Sequence, residues 1–258
     1  MTFFITRRRL LIGSAAGLGA IGLSGCDDVA QNAKVQNVLA MAEKLTMKSQ
    51  RLLVPKDKLA REFSEADISP TFRPNGTSQP DSEDYARMMA TGFADWRLKI
   101  DGLVEHPVEL SLADLKELPS RTQITRHDCV EGWSAIGKWT GVPLGPILQG
   151  VGLKPGARYA VFYCADQLEQ TVDGSGTYYE SIDLIDAFHP QTILAYELNG
   201  KDLEVAHGAP LRLRVERHLG YKHAKYVMRI EIKDSFASLW GGKGGFWEDR
   251  GYEWYAGI

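Results

Sequence analysis

One cysteine in a polar, glycine-bearing stretch has the greatest potential for chemistry in this sequence. Cys129 directly follows Arg126, His127 and an aspartate within residues 125–134. A thiolate is a soft ligand for a high-valent metal and the reactive species in redox chemistry, and nearby cations lower a thiol pKa. We therefore predict that Arg126 and His127 lower the pKa of Cys129. A lone cysteine is also often only a small buried hydrophobe.

A second concentration of candidate residues lies in the C-terminal half. Residues 207–212 read His-Gly-Ala-Pro-Leu-Arg, and residues 220–225 read Gly-Tyr-Lys-His-Ala-Lys. A cofactor that ends in a phosphate needs fixed donors, which arginine supplies in bidentate fashion and lysine and loop amides supply with charge and direction. The alternatives are that Arg212 and Arg214 are solvent-facing strand residues and that His223 is a loop histidine with satisfied hydrogen bonds.

Together these segments resemble a known enzyme family. Residues 129–134 (Cys-Val-Glu-Gly-Trp-Ser) and 139–144 (Trp-Thr-Gly-Val-Pro-Leu) are similar to the molybdenum-cysteine segment of the sulfite oxidase family of molybdopterin-dependent oxidoreductases. The resemblance extends from about residue 72 to residue 232. It implies an α+β fold of the sulfite-oxidase molybdopterin-binding type, with mixed β-sheets and short helices. It also implies one molybdenum–molybdopterin cofactor (Moco), with Cys129 as metal ligand and catalytic residue.

The resemblance extends to individual cofactor contacts and to an active-site tyrosine, which corresponds to Tyr178. The implied pterin contacts, besides Cys129, are Phe72, Asn75, Gly76, Asp166, His207, Arg212, His223, Ala224 and Lys225. Where the family carries Arg-Asn-His, this chain has Pro74, Asn75 and Gly76, so the substrate-site arginine is replaced. Arg73 is the neighbouring position, but a shift of one residue in an extended segment points its side chain the other way. Sulfite as the substrate is thereby put in doubt.

The resemblance implies a two-electron oxygen-atom transfer on a small substrate. The chain has no Cys-x-x-Cys-His haem motif, so we expect a separate electron-transfer protein, either a cytochrome or a membrane haem subunit. In length, export signal and Cys-Val-Glu block, it is similar to the standalone periplasmic members, which include the catalytic subunit of the methionine sulfoxide reductase system. We therefore predict S-oxide reduction, with sulfite oxidation as the alternative. A non-catalytic lipoprotein binding module and a thiol–disulfide protein using Cys129 and Cys164 are alternatives from other classes.

The N-terminus has the pattern of an export signal. Arginines at 7–9 precede an apolar run at 13–23 that is too short for a membrane span. The paired arginines resemble the twin-arginine signal, whose pathway exports folded, cofactor-loaded proteins, and a general secretory signal is the alternative. Residues 23–26 resemble a lipobox, so Cys26 is a possible membrane tether or else an incidental cysteine. We expect a signal at 1–25, a tether with an amphipathic helix at 26–67, and a periplasmic molybdopterin-binding catalytic domain at 68–258.

The remaining sequence predicts the elements that must position these residues. With 44% hydrophobic and 24% charged residues the chain is globular, and a net charge of −3 with interspersed signs makes nucleic acid an unsuitable partner. Apolar periodicity predicts helices at 29–53, 111–118 and 181–188, and no regular structure at 70–80. It predicts strands at 96–100, 123–125, 159–163, 193–197, 211–216 and 226–232. For the aromatic run at 240–252 we consider three alternatives: it closes the core, it lines a substrate funnel, or it forms a docking surface for a redox protein.

Overall fold

The computed structural model describes residues 32–258. The predicted signal and Cys26 lie outside the described residues. The chain divides into two units after residue 50, of which the structure describes residues 32–50 and 51–258. Helix α1 (Ala33–Leu53) accounts for nearly all of the described part of the first unit and agrees with the helical periodicity of the sequence. No helix in the described range combines the length and apolar character of a membrane span. The domain limits at 25, 67 and 258 stay predictions.

Residues 51–258 contain two β-sheets. The first comprises β1 (Leu98–Gly102), β2 (Val108–Leu110), β5 (Tyr159–Gln167), β6 (Thr177–Asp183) and β10 (Val227–Lys233). Its order is β2-β1-β10-β5-β6, with β1 and β10 parallel and the other pairs antiparallel. The second comprises β3 (Arg121–Cys129), β4 (Trp133–Pro143), β7 (Ile193–Leu198), β8 (Lys201–Asp202) and β9 (Arg212–Arg214). Its order is β3-β4-β7-β8, and β9 also pairs with β7.

Short helices and single 3-10 turns connect the strands. The helices are α2 (Glu83–Ala90), α3 (Leu112–Glu117), α4 (Leu144–Val151) and α5 (Leu184–Ala187), and the turns are Glu65–Asp67, Val205–His207, Gly220–Lys222 and Glu248–Arg250. Helix α3 begins as predicted, because Ser111 accepts from the Asp114 amide (3.1 Å) and Asp114 accepts from the Ser111 amide (2.8 Å). Mixed sheets with short helices confirm the predicted α+β fold class.

Several elements differ from the sequence prediction, which did not include α2, α4, β2 and β8. The helix predicted at 181–188 is wrong in its first part, because Ser181 pairs with Val161 and extends β6 as far as Asp183. Only Leu184–Ala187 is helical, with the Asp183 side chain accepting from the Asp186 amide. Strand β4 was not predicted, since its alternation is interrupted by glycines. Gly141 in β4 has no space for a side chain: an added Cβ would lie 2.2 Å from the Leu194 carbonyl oxygen.

Strand β9 lies between the two larger of the three hydrophobic clusters of this unit. Leu211, Leu213 and Val215 face the larger core, which also contains the inward residues of β1, β5 and β10. Phe72 and Trp139 belong to the smaller core beside the second sheet. Each buried Leu or Val contributes about 2 kcal/mol of hydrophobic stabilisation. Because apolar packing fixes one face of β9, the alternate residues Arg212 and Arg214 point into the interior on its other face, where both are fully buried.

Candidate functional site

Cys129 lies at the end of β3, where the chain turns tightly into β4. It pairs with Trp133 across the antiparallel hairpin, and the Gly132 amide donates to the Cys129 carbonyl at 3.1 Å. Gly132 adopts φ +84°, a conformation that favours glycine. Cys129 is half-buried and Cys164 is buried, and both are free thiols. The hairpin therefore presents the Cys129 thiol from a position fixed by β-pairing.

The prediction that Arg126 and His127 lower the pKa of Cys129 is wrong. Burial raises the pKa of this thiol. Arg126 is exposed and pairs with Asp128 at 2.9 Å. His127 is fully buried, and burial together with Arg214 holds its pKa well below the usual value, so the imidazole is neutral. The thiol therefore has no activating cation in the sequence run around it, and coordination to a metal would be what deprotonates it.

A buried network under β3 fixes the strand that carries Cys129. Arg214 donates to both carboxylate oxygens of Glu216, at 2.9 and 2.6 Å, and its Nη1 lies 2.9 Å from Nδ1 of His127. Glu216 also accepts from Gln123 at 2.9 Å. An added Cβ at Gly220 would lie 2.6 Å from Nε2 of His127, so only glycine permits this approach. The alternative that Arg212 and Arg214 face solvent is wrong, because the interior fully buries them both.

Arg212 is the first of two buried cations that are candidates to bind an anionic group of the cofactor. Its Nη1 donates to the His207 carbonyl at 2.9 Å and its Nη2 to Oδ1 of Asn75 at 3.4 Å. Its Nε is buried without a protein partner. Burial and the neighbouring Arg214 lower the pKa of Arg212 to about 9. Two of its three nitrogen groups thus contact only neutral oxygens, which leaves the guanidinium charge available to an anion.

Lys225 forms the second cationic position. Its Nζ donates to the carbonyls of Asn75 (2.7 Å), Thr77 (2.6 Å) and Ala206 (2.9 Å). Burial and Arg212 lower the pKa of Lys225 to about 7. The three acceptors match the three protons of an ammonium. The lysine therefore fixes segment 75–77 against the loop at 206 and places positive charge beside Arg212.

Asp166 is held by a residue that sequence analysis missed. The Thr77 hydroxyl lies 2.7 and 2.6 Å from the two carboxylate oxygens of Asp166. Burial raises the pKa of Asp166, and the Thr77 hydrogen bond and Lys225 oppose that effect. Thr77 directly follows Asn75 and Gly76, so its position beside two predicted contacts was the available signal.

Two histidines present unused ring nitrogens. His207 and His223 are neutral, because burial lowers the pKa of each, and Nδ1 of each is buried without a protein partner. Phe72 packs edge-on against His207 at a centroid separation of 5.8 Å. Ala224 is the exception among the predicted contacts: its side chain packs in the larger core and its carbonyl accepts from the Leu213 amide at 2.8 Å.

A cavity of about 510 Å³ joins the predicted residues from separate elements. Six of them line it: Asn75, Gly76, Asp166, Tyr178, His223 and Lys225. Val130 and Glu131, the two residues after Cys129, also line it. Phe72 and His207 line a separate cavity of about 190 Å³ instead. The remaining lining residues of the large cavity were not predicted individually: Thr77, Leu168, Glu169, Tyr221, Phe246, Trp247 and Tyr252.

These residues fit a phosphorylated, hydrogen-bonding cofactor. The cavity has the volume of a cofactor pocket, and the Lys225 ammonium and the His223 ring line it. His207 lines the smaller cavity, and Arg212 lines neither of the two, but each has a buried nitrogen without a protein partner. Within residues 32–258, no group of three His, Cys, Asp or Glu side chains is arranged to hold a metal ion. Cys129 would supply the protein thiolate to a molybdenum whose other sulfur ligands come from the pterin.

Comparisons with known proteins agree with this geometry. The model of the oxidoreductase molybdopterin binding domain matches residues 86–240. A protein of Azospira oryzae, provisionally named protein-methionine-sulfoxide reductase subunit YedZ1, is 36% identical over 97% of this chain and 87% of its own length. The protein-methionine-sulfoxide reductase catalytic subunit MsrP of Xanthomonas axonopodis is 32% identical over 87% of this chain and 69% of its own.

Among solved structures, the sulfane dehydrogenase SoxCD of Paracoccus pantotrophus is 27% identical with a TM-score of 0.48, covering 55% of this chain and 39% of that chain. The family match confirms the predicted enzyme class and the predicted molybdenum–molybdopterin cofactor. The roles of the individual site residues stay predictions. The matched region contains Cys129 on its hairpin and the cations at 212 and 225. The chain therefore belongs to the family of oxidoreductases with a molybdopterin-binding domain.

Proposed function

We propose that this protein reduces S-oxides to sulfides, with methionine sulfoxide as the substrate class that its relatives' names indicate. In this reaction the sulfur–oxygen bond of the S-oxide breaks, two electrons and two protons are consumed, and a sulfide and one water molecule form. When bound, the molybdopterin supplies the metal centre through which the oxygen atom and the two electrons are exchanged. The residues of the chain bind the cofactor, orient the substrate and hold a proton.

The charge of the cavity is the observation that carries this proposal. Among the described residues that line it, Glu131, Asp166 and Glu169 are carboxylates and Lys225 is the only Lys or Arg. All three Lys225 protons are donated to carbonyls. A sulfite anion in this cavity would therefore meet three carboxylates, of which Glu169 pairs with Arg250, and one ammonium whose protons are already donated. Arg73 adds a cation near the Cys129 thiol. An S-oxide is neutral and needs no cation to bind it.

Tyr178 is the residue that we assign to substrate orientation. It is half-buried, and its hydroxyl donates to the Tyr221 carbonyl. Burial raises the pKa of Tyr178 well above its usual value, so the hydroxyl keeps its proton at any physiological pH. Rotation of the hydroxyl from the Tyr221 carbonyl to the S-oxide oxygen would polarise the sulfur–oxygen bond without moving the ring. Cys129 would hold the metal, and Arg212, His223 and Lys225 would bind the cofactor.

The electron donor and the location belong to the same proposal. The sequence has no haem-attachment motif, which supports electron delivery by a separate cytochrome or membrane haem subunit. The arginines at 7–9 and the lipobox-like residues 23–26 support export to the periplasm by the twin-arginine route and tethering through Cys26. Labelling cells with a radioactive fatty acid, in wild type and a Cys26→Ala variant, tests the tether separately from the reaction.

A comparison of kcat/KM for methionine sulfoxide and for sulfite, on cofactor-loaded protein, tests the reaction. Reduced viologen dye as electron donor should support reduction of methionine sulfoxide, and mass spectrometry should find methionine as the product. With ferricyanide as acceptor, sulfite oxidation should be at least about 100-fold slower in kcat/KM. A higher kcat/KM for sulfite would overturn the proposal in favour of sulfite oxidation. Protein that is loaded with metal and pterin but turns over neither substrate would favour the binding module.

A further inference from the structure

Five aromatic residues line the same side of the functional cavity in an unbroken chain of ring contacts. We call them the aromatic wall: Tyr178, Tyr221, Phe246, Trp247 and Tyr252. Three come from the C-terminal run at 240–252. The structure therefore places this run at the cavity, rather than giving it only the role of closing the core.

The ring geometry joins every member of the wall to the next. Tyr178 stacks on Phe246 at 5.8 Å and 29°. Phe246 meets Trp247 edge-on at 5.2 Å, and Trp247 stacks on Tyr252 at 5.3 Å and 29°. Tyr252 meets Tyr221 edge-on at 5.2 Å. Such offset and edge contacts hold aromatic surfaces in fixed relative positions, so the wall is one preformed apolar surface.

The protein anchors this surface at several points. The Tyr178 hydroxyl donates to the Tyr221 carbonyl, and the Tyr221 hydroxyl donates to the Glu253 carbonyl at 2.6 Å. Behind it, the fully buried Lys222 pairs with Glu180 and Glu248. Because these anchors come from β6, the 220–222 turn and the C-terminal segment, the wall is formed before substrate arrives. A preformed apolar surface binds a ligand with little ordering cost.

Phe246 is buried at 1% exposure, whereas Trp247 is partly exposed and Tyr252 is 39% exposed. The latter two are therefore accessible, as is the half-buried Tyr178, to which we assign the orientation of the S-oxide oxygen. Phe246 is further covered by Arg250, whose guanidinium carbon lies 3.5 Å from the ring centroid. A substrate entering the cavity would contact Trp247 and Tyr252 first.

We propose that Trp247 and Tyr252 determine substrate specificity, by binding the apolar body that flanks the sulfur of a neutral S-oxide. This inference rests on the S-oxide reduction proposed above. An S-oxide whose sulfur carries a methionine-sized or an aromatic substituent can pack that substituent on the two rings and place its sulfur against a ring. Dimethyl sulfoxide is too small to gain much from either. The wall thus selects side-chain-sized S-oxides over the smallest ones.

Kinetics of the cofactor-loaded enzyme test the specificity. The Trp247→Ala variant should raise KM for methyl phenyl sulfoxide and methionine sulfoxide by about 10-fold or more, the range expected for one lost apolar contact surface. Its KM for dimethyl sulfoxide should stay within about 2-fold, and kcat should change little. Trp240→Ala is the matched control, because Trp240 packs on Tyr179 at 4.4 Å and does not line the cavity. Equal changes in both variants, or equal changes for all three substrates, would overturn the assignment.

A binding measurement without turnover separates this inference from the proposed reaction. Methyl phenyl sulfone cannot be reduced in this way, and calorimetry gives its Kd for the loaded enzyme. We expect Kd to rise about 10-fold in Trp247→Ala and in Tyr252→Ala, and to be unchanged in Trp240→Ala. If the wild type reduces no S-oxide while sulfone binding still depends on Trp247, the reaction fails and the recognition surface stands. Sulfone binding that is unaffected by both wall variants would refute the recognition surface, whatever reaction is found.

Discussion

The ammonium nitrogen of Lys222 lies 2.6 Å from a carboxylate oxygen of Glu248, and at most 1% of either side chain is exposed. Glu180 pairs with the same ammonium from β6. Burial and the neighbouring Glu248 raise the pKa of Glu180 well above its usual value. One buried cation thus joins two acids, and it fixes the C-terminal segment against the sheet that carries Tyr178.

Removing this cation should be strongly destabilising. The Lys222→Met change leaves two buried carboxylic groups without their partner, so we expect a loss of about 3 kcal/mol in the free energy of unfolding. Urea denaturation measures it, and limited proteolysis should show earlier cleavage after residue 234. A triple variant with Glu180→Gln and Glu248→Gln added should recover part of the loss. A single variant within about 1 kcal/mol of wild type would contradict this role.

The thiol at 129 should be required for the metal environment, and the thiol at 164 should not. In Cys129→Ser the absorption from the cysteine sulfur to the metal should disappear, the absorption from the dithiolene sulfurs should remain, and reductase activity should fall by at least about 100-fold. Cys164→Ala should retain metal, pterin and spectrum, because Cys164 packs in the larger core. Elemental analysis and absorption spectroscopy of the two purified variants make the comparison. Retention of the wild-type spectrum by Cys129→Ser would show that another group binds the metal.

Arg212 should contribute to cofactor retention through its planar fork rather than through charge alone. Arg212→Lys keeps the charge but loses the second donor direction, so pterin retained after dialysis should fall by about 10-fold. Fluorescence of the oxidised pterin, normalised to protein, gives the content. Arg229→Lys is the control, since Arg229 pairs with Asp101 on a partly exposed surface. Similar pterin content in both variants would speak against a cofactor contact at 212.

Cofactor-free protein should become more stable as pH rises from 7 to about 8.5. The pKa of Lys225 is lowered to about 7 in the folded chain, while an unfolded lysine titrates near 10.4. Between these values the unfolded state binds more protons, so the free energy of unfolding rises with pH by up to about 1.4 kcal/mol per unit. Below pH 7 both states are protonated and this contribution levels off. Above about 8.5, buried thiols oppose the trend, because burial raises the pKa of Cys129 and Cys164.

Denaturation of Lys225→Met over the same pH range isolates this effect. The variant lacks the titrating group, so its free energy of unfolding should rise with pH less steeply than that of the wild type between pH 7 and 8.5. The difference in slope should be most of the 1.4 kcal/mol per pH unit that is about the most one group can contribute. Protein expressed in a host without molybdopterin synthesis provides the material. Parallel slopes in the two proteins would mean that Lys225 keeps its proton throughout, as its three carbonyl acceptors would favour.

The sequence was informative where local pattern decides structure. Alternation placed Leu211, Leu213 and Val215 in the core, and the Ser111–Asp114 pair began α3 as predicted. The sequence was less informative where the structure depends on pairing between residues that are far apart in the chain. Ser181 joins β6 because Val161 lies beside it, which no local signal shows. The burial of Arg214 likewise depends on His127 of β3, which lies 87 positions earlier in the chain, so the sequence left solvent exposure open as an alternative.

Within the site, the family resemblance identified six of the residues that line the cavity but not its chemistry. Thr77 was missed because its contacts to Asp166 and Lys225 join distant parts of the chain. Of the aromatic wall, Tyr178 was predicted, whereas for the run at 240–252 the lining of a substrate funnel was one of three alternatives, since its place depends on how the C-terminal segment folds back. The direction of the Cys129 pKa shift was also wrong, since adjacency in sequence said nothing of His127 being buried and neutral. Charged neighbours in a strand point to opposite faces, and only one face meets the cavity.

Lys225 donates to carbonyls of Asn75 and Thr77, which precede it by 150 and 148 positions. The pocket therefore does not exist on a nascent or half-folded chain, and a molybdopterin can be retained only after almost the whole second unit has closed. Retention of the cofactor therefore reports on folding, because only a molecule in which these long-range contacts have formed can hold it. We propose that this protein is exported already folded, so the bound cofactor would distinguish molecules that have finished folding from those that have not.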